Sequence, residues 1–154
     1  MAKEYRTIRN DVALPYQWAL GKTWAKFFDG LKEEKILGTK CSQCGKVFVP
    51  ARTFCPECFI DMAEWVEVKP EGKVLTWTLV RAKYYGQVKE PPYIVATIQL
   101  EGTDCGFHHF IGGIDLADFK KARQKLKRGA KVKAVWSVEK KAEIYDISQF
   151  VPIK

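Results

Sequence analysis

Two Cys-x-x-Cys pairs, Cys41-Ser-Gln-Cys44 and Cys55-Pro-Glu-Cys58, constrain this chain more than any other feature. Two intervening residues let a backbone turn back and present both sulfurs to one tetrahedral ion, and four thiolates complete its coordination sphere. Gly45 supplies the positive φ that such a knuckle needs, and Pro56 stiffens the second turn. The linker between the pairs, GKVFVPARTF, is long enough for a strand, a turn and a return. The spacing predicts a zinc ribbon holding one structural Zn2+ on Cys41, Cys44, Cys55 and Cys58. A thioredoxin-type redox motif needs one such pair beside a βαβ unit, and this chain has two pairs and no such pattern. A catalytic zinc keeps a position open for water, which four thiolates fill. The fifth cysteine, Cys105, lies in an apolar stretch and reads as a small buried hydrophobe or, alternatively, as a reactive thiol.

A length of 154 residues suits one domain, or one small domain with a mini-module attached. An apolar fraction of 47% with 13% aromatics supplies a core. The opening MAKEYRTIRN is charged and no apolar h-region follows it, and no apolar run approaches the roughly 20 residues that span a bilayer. The expectation is a soluble, cytoplasmic protein, where reduced Cys-x-x-Cys pairs bind metal.

Three sections separate along the chain. Residues 1–35 read as helical: Leu20, Trp24, Phe27 and Leu31 recur on one helical face, Pro15 suits a helix start, Gly21 and Gly30 are places where it could split, and Gly38 lies past the stop. The aromatics between Tyr16 and Phe28 exceed what one stripe needs. They either cover the rest of the chain or offer a docking surface to another protein. Residues 36–64 form the ribbon. Residues 65–154 are β-rich, with strand-like runs at 73–82, 93–101, 105–114, 131–139 and 144–151. Between the third and fourth runs, DLADFKKARQKLKRG opens on acids and closes on bases, as a helix dipole favours. Five strands with one helix between the third and fourth is the order of an OB-fold barrel. The fold class expected is therefore mainly β with N-terminal helices: a rubredoxin-like zinc ribbon followed by a five-stranded OB-fold.

The net charge of +8 is local. Residues 120–141 hold ten Lys or Arg against Glu139 alone, while the rest of the chain is nearly neutral. In KVKAVWSV, Val132, Ala134, Trp136 and Val138 should alternate inward and Lys131 and Lys133 outward. Lys120, Lys121, Arg123, Lys125, Lys127 and Arg128 crowd the preceding helix, either as a solvated face or as a site for a phosphate-bearing ligand. Histidines His108 and His109 are adjacent in a strand and so diverge, which rules out a shared metal or a catalytic pair. Nothing in the spacing supports a nucleophile elbow or a phosphate loop, and no catalytic residue is assigned.

The chain resembles a known family, the small zinc-ribbon/OB-fold proteins associated with acyl-CoA enzymes, whose members include the small subunit of benzoylsuccinyl-CoA thiolase. The resemblance rests on the aromatic N-terminal section, the ribbon KCSQCGKVFVPARTFCPEC, the segment EGKVLTWTLVRA, the strand PPYIVATIQLEG, Gly129 before KVKAVW, and the closing QFVPIK. It implies a non-catalytic subunit that forms a hetero-oligomer with a thiolase-type acyltransferase and helps bind the CoA portion of its thioester substrate. Charge near the ribbon and first barrel strand singles out Lys46, Arg52, Arg81 and Lys83 as CoA contacts. A second reading, from another class, is a single-stranded nucleic-acid binder, with Trp77, Tyr84, Tyr85 and Phe107 stacking bases beside the basic segment.

Overall fold

A computed structural model describes Ile8 and residues 15–153. Expectations that fall on residues 1–7, 9–14 and 154 lie outside the described residues. Residues 15–20 carry no helix, so Pro15 is not a helix start. The helix α1 runs over Gly21–Lys32, after a left-handed turn at Gly21 (φ +68°). It is not split at Gly30. A Cβ there would come within 2.8 Å of the Leu37 side chain, so glycine lets the helix sit directly on the strand that follows. Its end is set at Glu34, at φ +62°, with Lys35 N–H donating back to Gly30 O at 2.9 Å. Gly38 is not part of that stop; it lies inside β1, where a Cβ would meet the Phe48 carbonyl at 2.9 Å.

Strand β1 (Ile36–Lys40) sits between β2 (Val47–Phe48) and β3 (Glu64–Val68), antiparallel to both. This three-stranded sheet carries the cysteine pairs at one end. β3 completes it with residues that extend past position 64. The chain then enters β4 (Glu71–Val80), β5 (Tyr93–Leu100) and β6 (Phe107–Ile111), a meander. Helix α2 (Phe119–Lys125) leads to β7 (Lys131–Trp136), and a 3-10 turn at Ile144–Asp146 leads to β8 (Ile147–Pro152). The barrel closes in the order β4-β5-β6-β8-β7, with β6 and β8 parallel. This five-stranded closed barrel, with the helix between its third and fourth strands, is the OB-fold.

Two details of the strand reading change. The run expected over 131–139 stops at Trp136, behind a bulge at Val135/Trp136, so Val138 is exposed instead of facing the core. The run expected from 144 is a 3-10 turn before the strand proper. Its Asp146 is buried and accepts from the N–H groups of Lys141, Ala142 and Glu143 at 2.8, 2.9 and 3.3 Å, which closes the loop on itself.

One hydrophobic core runs through helix, ribbon sheet and barrel. Phe27 and Leu31 of α1, Ile36 of β1, Val49 and Ala51 of the linker, and Val68 of β3 join Val74, Ile94, Ile98, Leu126, Val132 and Phe150. The helical stripe therefore divides: Phe27 and Leu31 are fully buried, whereas Leu20 and Trp24 remain partly exposed. The β5–β6 loop fastens barrel to ribbon. Asp104 N–H donates to Val47 O, and Val47 N–H donates to the Asp104 carboxylate, both at 2.9 Å.

Candidate metal centre

Both cysteine pairs fold into the same knuckle. In the first, Gly45 N–H donates to Cys41 O and Cys41 N–H to Lys46 O, each at 2.9 Å; in the second, Phe59 N–H donates to Cys55 O and Cys55 N–H to Ile60 O, again at 2.9 Å. The knuckles face each other and bring all four sulfurs within 4.8 Å of one another, with Cys44 Sγ and Cys55 Sγ 3.8 Å apart. Thiolates around one tetrahedral Zn2+ at about 2.3 Å stand under 4 Å apart, so this donor set fits the ion. Cys41 and Cys55 are fully buried, packed with Phe48 and Met62 in a small cluster of their own. The Cys44 N–H donating to its sulfur draws the Cys41 thiol down to about 7, whereas burial pushes Cys58 up to about 12. A metal bound here displaces the thiol protons, so its binding weakens as pH falls. An ion-pair clasp joins the knuckles from outside, Lys46 gripping both carboxylate oxygens of Glu57.

Cys105 belongs to this neighbourhood without being a ligand. Its sulfur accepts from Val49 N–H at 3.1 Å and its S–H donates to Val49 O at 3.2 Å, and it packs against the metal-site cluster. A thiol engaged in this way pins the barrel loop to the ribbon.

The four cationic candidates do not converge. Lys46 is taken up by Glu57 and Lys83 by Glu90, the latter at 2.6 Å. Arg52 lies over the Phe48 ring on the ribbon, its guanidinium 5.1 Å from the centroid. Arg81 stands apart, 5.4 Å from the ring centroid of Phe119, at the mouth of a cleft between β4 and α2. The histidines diverge as expected: His108 is exposed and His109 buried. His109 Nδ1 accepts from Phe110 N–H at 2.9 Å, which leaves the proton on Nε2, donated to Ile144 O at 3.2 Å. With both nitrogens engaged and burial lowering its pKa, this imidazole is a neutral core pin.

Sequence reasoning missed Phe59. It takes in the second knuckle the place Gly45 holds in the first, at φ +55° against +74°, and it is 80% exposed. A bulky residue in the left-handed region costs about 1–2 kcal/mol. Comparison of the two knuckles position by position could have revealed it. Other exposed aromatics are Phe54 on the ribbon and Tyr16, Trp18 and Trp24 ahead of and on α1, with Trp18 and Trp24 edge to face at 5.5 Å.

Residues 28–62 match the ChsH2 rubredoxin-like zinc ribbon domain, and residues 65–137 match the ChsH2 C-terminal OB-fold domain. A DUF35 domain-containing scaffold protein of Methanocaldococcus jannaschii is 37% identical over 68 residues, 43% of this chain and 48% of that protein. A scaffold protein of the same description from Pyrococcus furiosus is 37% identical over 67 residues, covering 44% and 48%. The chain thus spans about half the length of the curated relatives it matches. A solved DUF35-family protein of unknown function from Sulfolobus solfataricus shares 29% identity at a TM-score of 0.61, over 86% of this chain and 84% of that one. The Ltp2-ChsH2(DUF35) aldolase, at 23% identity and a TM-score of 0.61 over 88% and 97%, shares the fold.

Proposed function

The chain belongs to the family built from a ChsH2-type zinc ribbon followed by a ChsH2-type OB-fold, and on that premise we propose that it is a non-catalytic cytoplasmic subunit of a thiolase-type acyl-CoA complex. It helps to hold the CoA portion of the substrate and to shape the catalytic site of its partner. The observation that carries this reading is a metal site filled by four sulfurs, on a ribbon that exposes Phe54 and Phe59: it leaves no open coordination position for chemistry. Relatives described as scaffold proteins support the accessory role; the fold neighbour is described as an aldolase, so the class of the partner enzyme is what the experiment decides. The partner supplies the nucleophile and the acid–base groups. Of the four candidate CoA contacts, Lys46 and Lys83 are paired with carboxylates and Arg52 lies over Phe48 on the ribbon, which leaves Arg81, beside the cleft between β4 and α2, as the contact we favour.

Co-expression with a candidate thiolase tests this. Co-purification, together with thiolysis at least tenfold above that of the catalytic subunit alone, is the expected result. Full activity from that subunit alone, or turnover of a thioester by this chain unaided, overturns it. Co-purification with an aldolase in place of the thiolase would keep the accessory role and replace the partner.

A further inference from the structure

A cleft of about 830 Å³ lies between β4 and α2, and none of the four cysteines lines it. Trp77 and Phe119 form its aromatic wall, ring centroids 5.8 Å apart. Trp77 is fixed there because its indole N–H donates to Leu126 O at 2.7 Å. Leu126 is fully buried, and Gly129 N–H donates to Val74 O at 2.8 Å, so the basic turn after α2 is tied to the barrel wall. Four cations line the cleft: Arg81 from the end of β4, and Arg123, Lys127 and Arg128 from the helix and its exit. No carboxylate lines it, and among the described residues none of the four is paired with an acid. Cations outside the cleft do find acids, as Lys121 does with Asp118 and Lys140 with Glu34.

We propose that this cleft is a nucleoside-diphosphate site: Arg123, Lys127 and Arg128 hold the phosphates, and a purine stacks at the Phe119–Arg81 platform. The chemistry selects this class. Four uncompensated cations exceed what one phosphate needs, and arginine forks match phosphate oxygens in pairs. A guanidinium lying on an aromatic ring is a planar, sequence-tolerant stacking surface. A volume of this order suits one nucleotide. An oligonucleotide track would need a row of exposed aromatics, and the aromatic wall here ends at two rings. The nucleotide can be free, or it can be the 3′-phosphorylated diphosphate end of a CoA ester.

Calorimetric titration of the zinc-loaded full chain with ADP and with 3′-phosphoadenosine 5′-diphosphate tests the site without any partner enzyme, so it can fail while the thiolase reading stands, and the reverse. Saturable one-to-one binding, stronger than for AMP and weakened by added salt, is expected. Tighter binding of the 3′-phosphorylated probe assigns the site to CoA, and equal or weaker binding to a free nucleotide. The double variant Arg123→Ser/Lys127→Ser should lose at least tenfold in affinity, and both side chains are exposed enough to be removed without disturbing the core. Absence of saturable binding to either probe, affinity unchanged in the double variant, or affinity for oligothymidylate that grows with its length would each overturn the proposal.

Discussion

Gly45 and Phe59 do the same geometric task at the two turns of the metal site, and only one of them is suited to it. The strain at Phe59 leads to a paired expectation. Phe59→Gly should stabilise the isolated chain by about 1 kcal/mol in chemical denaturation, because the left-handed cost disappears. The same change should weaken capture of the catalytic partner, since the ring is exposed and its loss removes nothing from the core. If association is unaffected, the aromatic rim is not the contact. His109 yields a pH signature. Burial lowers its folded-state pKa from 6.5, so below that value the unfolded chain takes up a proton that the folded chain declines. Its contribution to stability is complete above about pH 6.5 and is lost as pH falls through the depressed folded-state value. Urea midpoints measured from pH 7 to pH 5 should therefore slope less in His109→Gln than in the parent. The divergence of the two histidines was legible from their adjacency in a strand. The closure of both imidazole nitrogens was not, because the partner carbonyl of Ile144 is 35 residues away.

Among the elements, the turn before β8 is the one whose sequence pattern misleads. IYDISQFV reads as a continuous strand, but Asp146 turns inward to accept from three backbone N–H groups, and the loop folds around it. Asp146→Ala removes the acceptor of three part-buried backbone N–H bonds, at a cost of about 1–3 kcal/mol, visible as a lower denaturation midpoint. A similar override ends β7 at Trp136, where a bulge turns the chain outward and strands Val138 in water. At α1 the apolar spacing located the helix but not its surroundings. Phe27 and Leu31 meet the barrel core, whereas Trp24 packs edge to face on Trp18 and Phe28 and stays partly exposed. Helix α2 behaves as its charge order suggests, with Asp118 accepting from Lys121 N–H at 3.0 Å as the N-cap.

For the whole molecule, the decisive fact is that ribbon and barrel share a core. Ile36, Val49, Ala51 and Val68 come from the ribbon side and pack with the barrel interior, and Asp104 and Cys105 bond across the junction. Metal removal should therefore not melt the ribbon as an independent unit. Chelation is expected to lower the thermal midpoint of the whole chain by ten degrees or more, in one transition followed by circular dichroism, since structural zinc in such modules carries about 10–16 kcal/mol of apparent binding energy. Two separated transitions would show that the shared core does not couple them. No helix among the described residues is long and apolar enough to cross a membrane.

The metal centre and the barrel order were determined by the sequence alone, since both are written in local spacing: two residues between sulfurs, alternation along strands, a charge-ordered helix before a glycine. Tertiary structure alone decided what depends on distant partners. It spent Lys46 and Lys83 on neighbouring carboxylates, made Cys105 a clip between ribbon and barrel, and gathered Arg81 with Arg123, Lys127 and Arg128 around one cleft. The physical reason is that a cation's availability is set by the acids that fold against it, and one-dimensional spacing carries no record of those meetings.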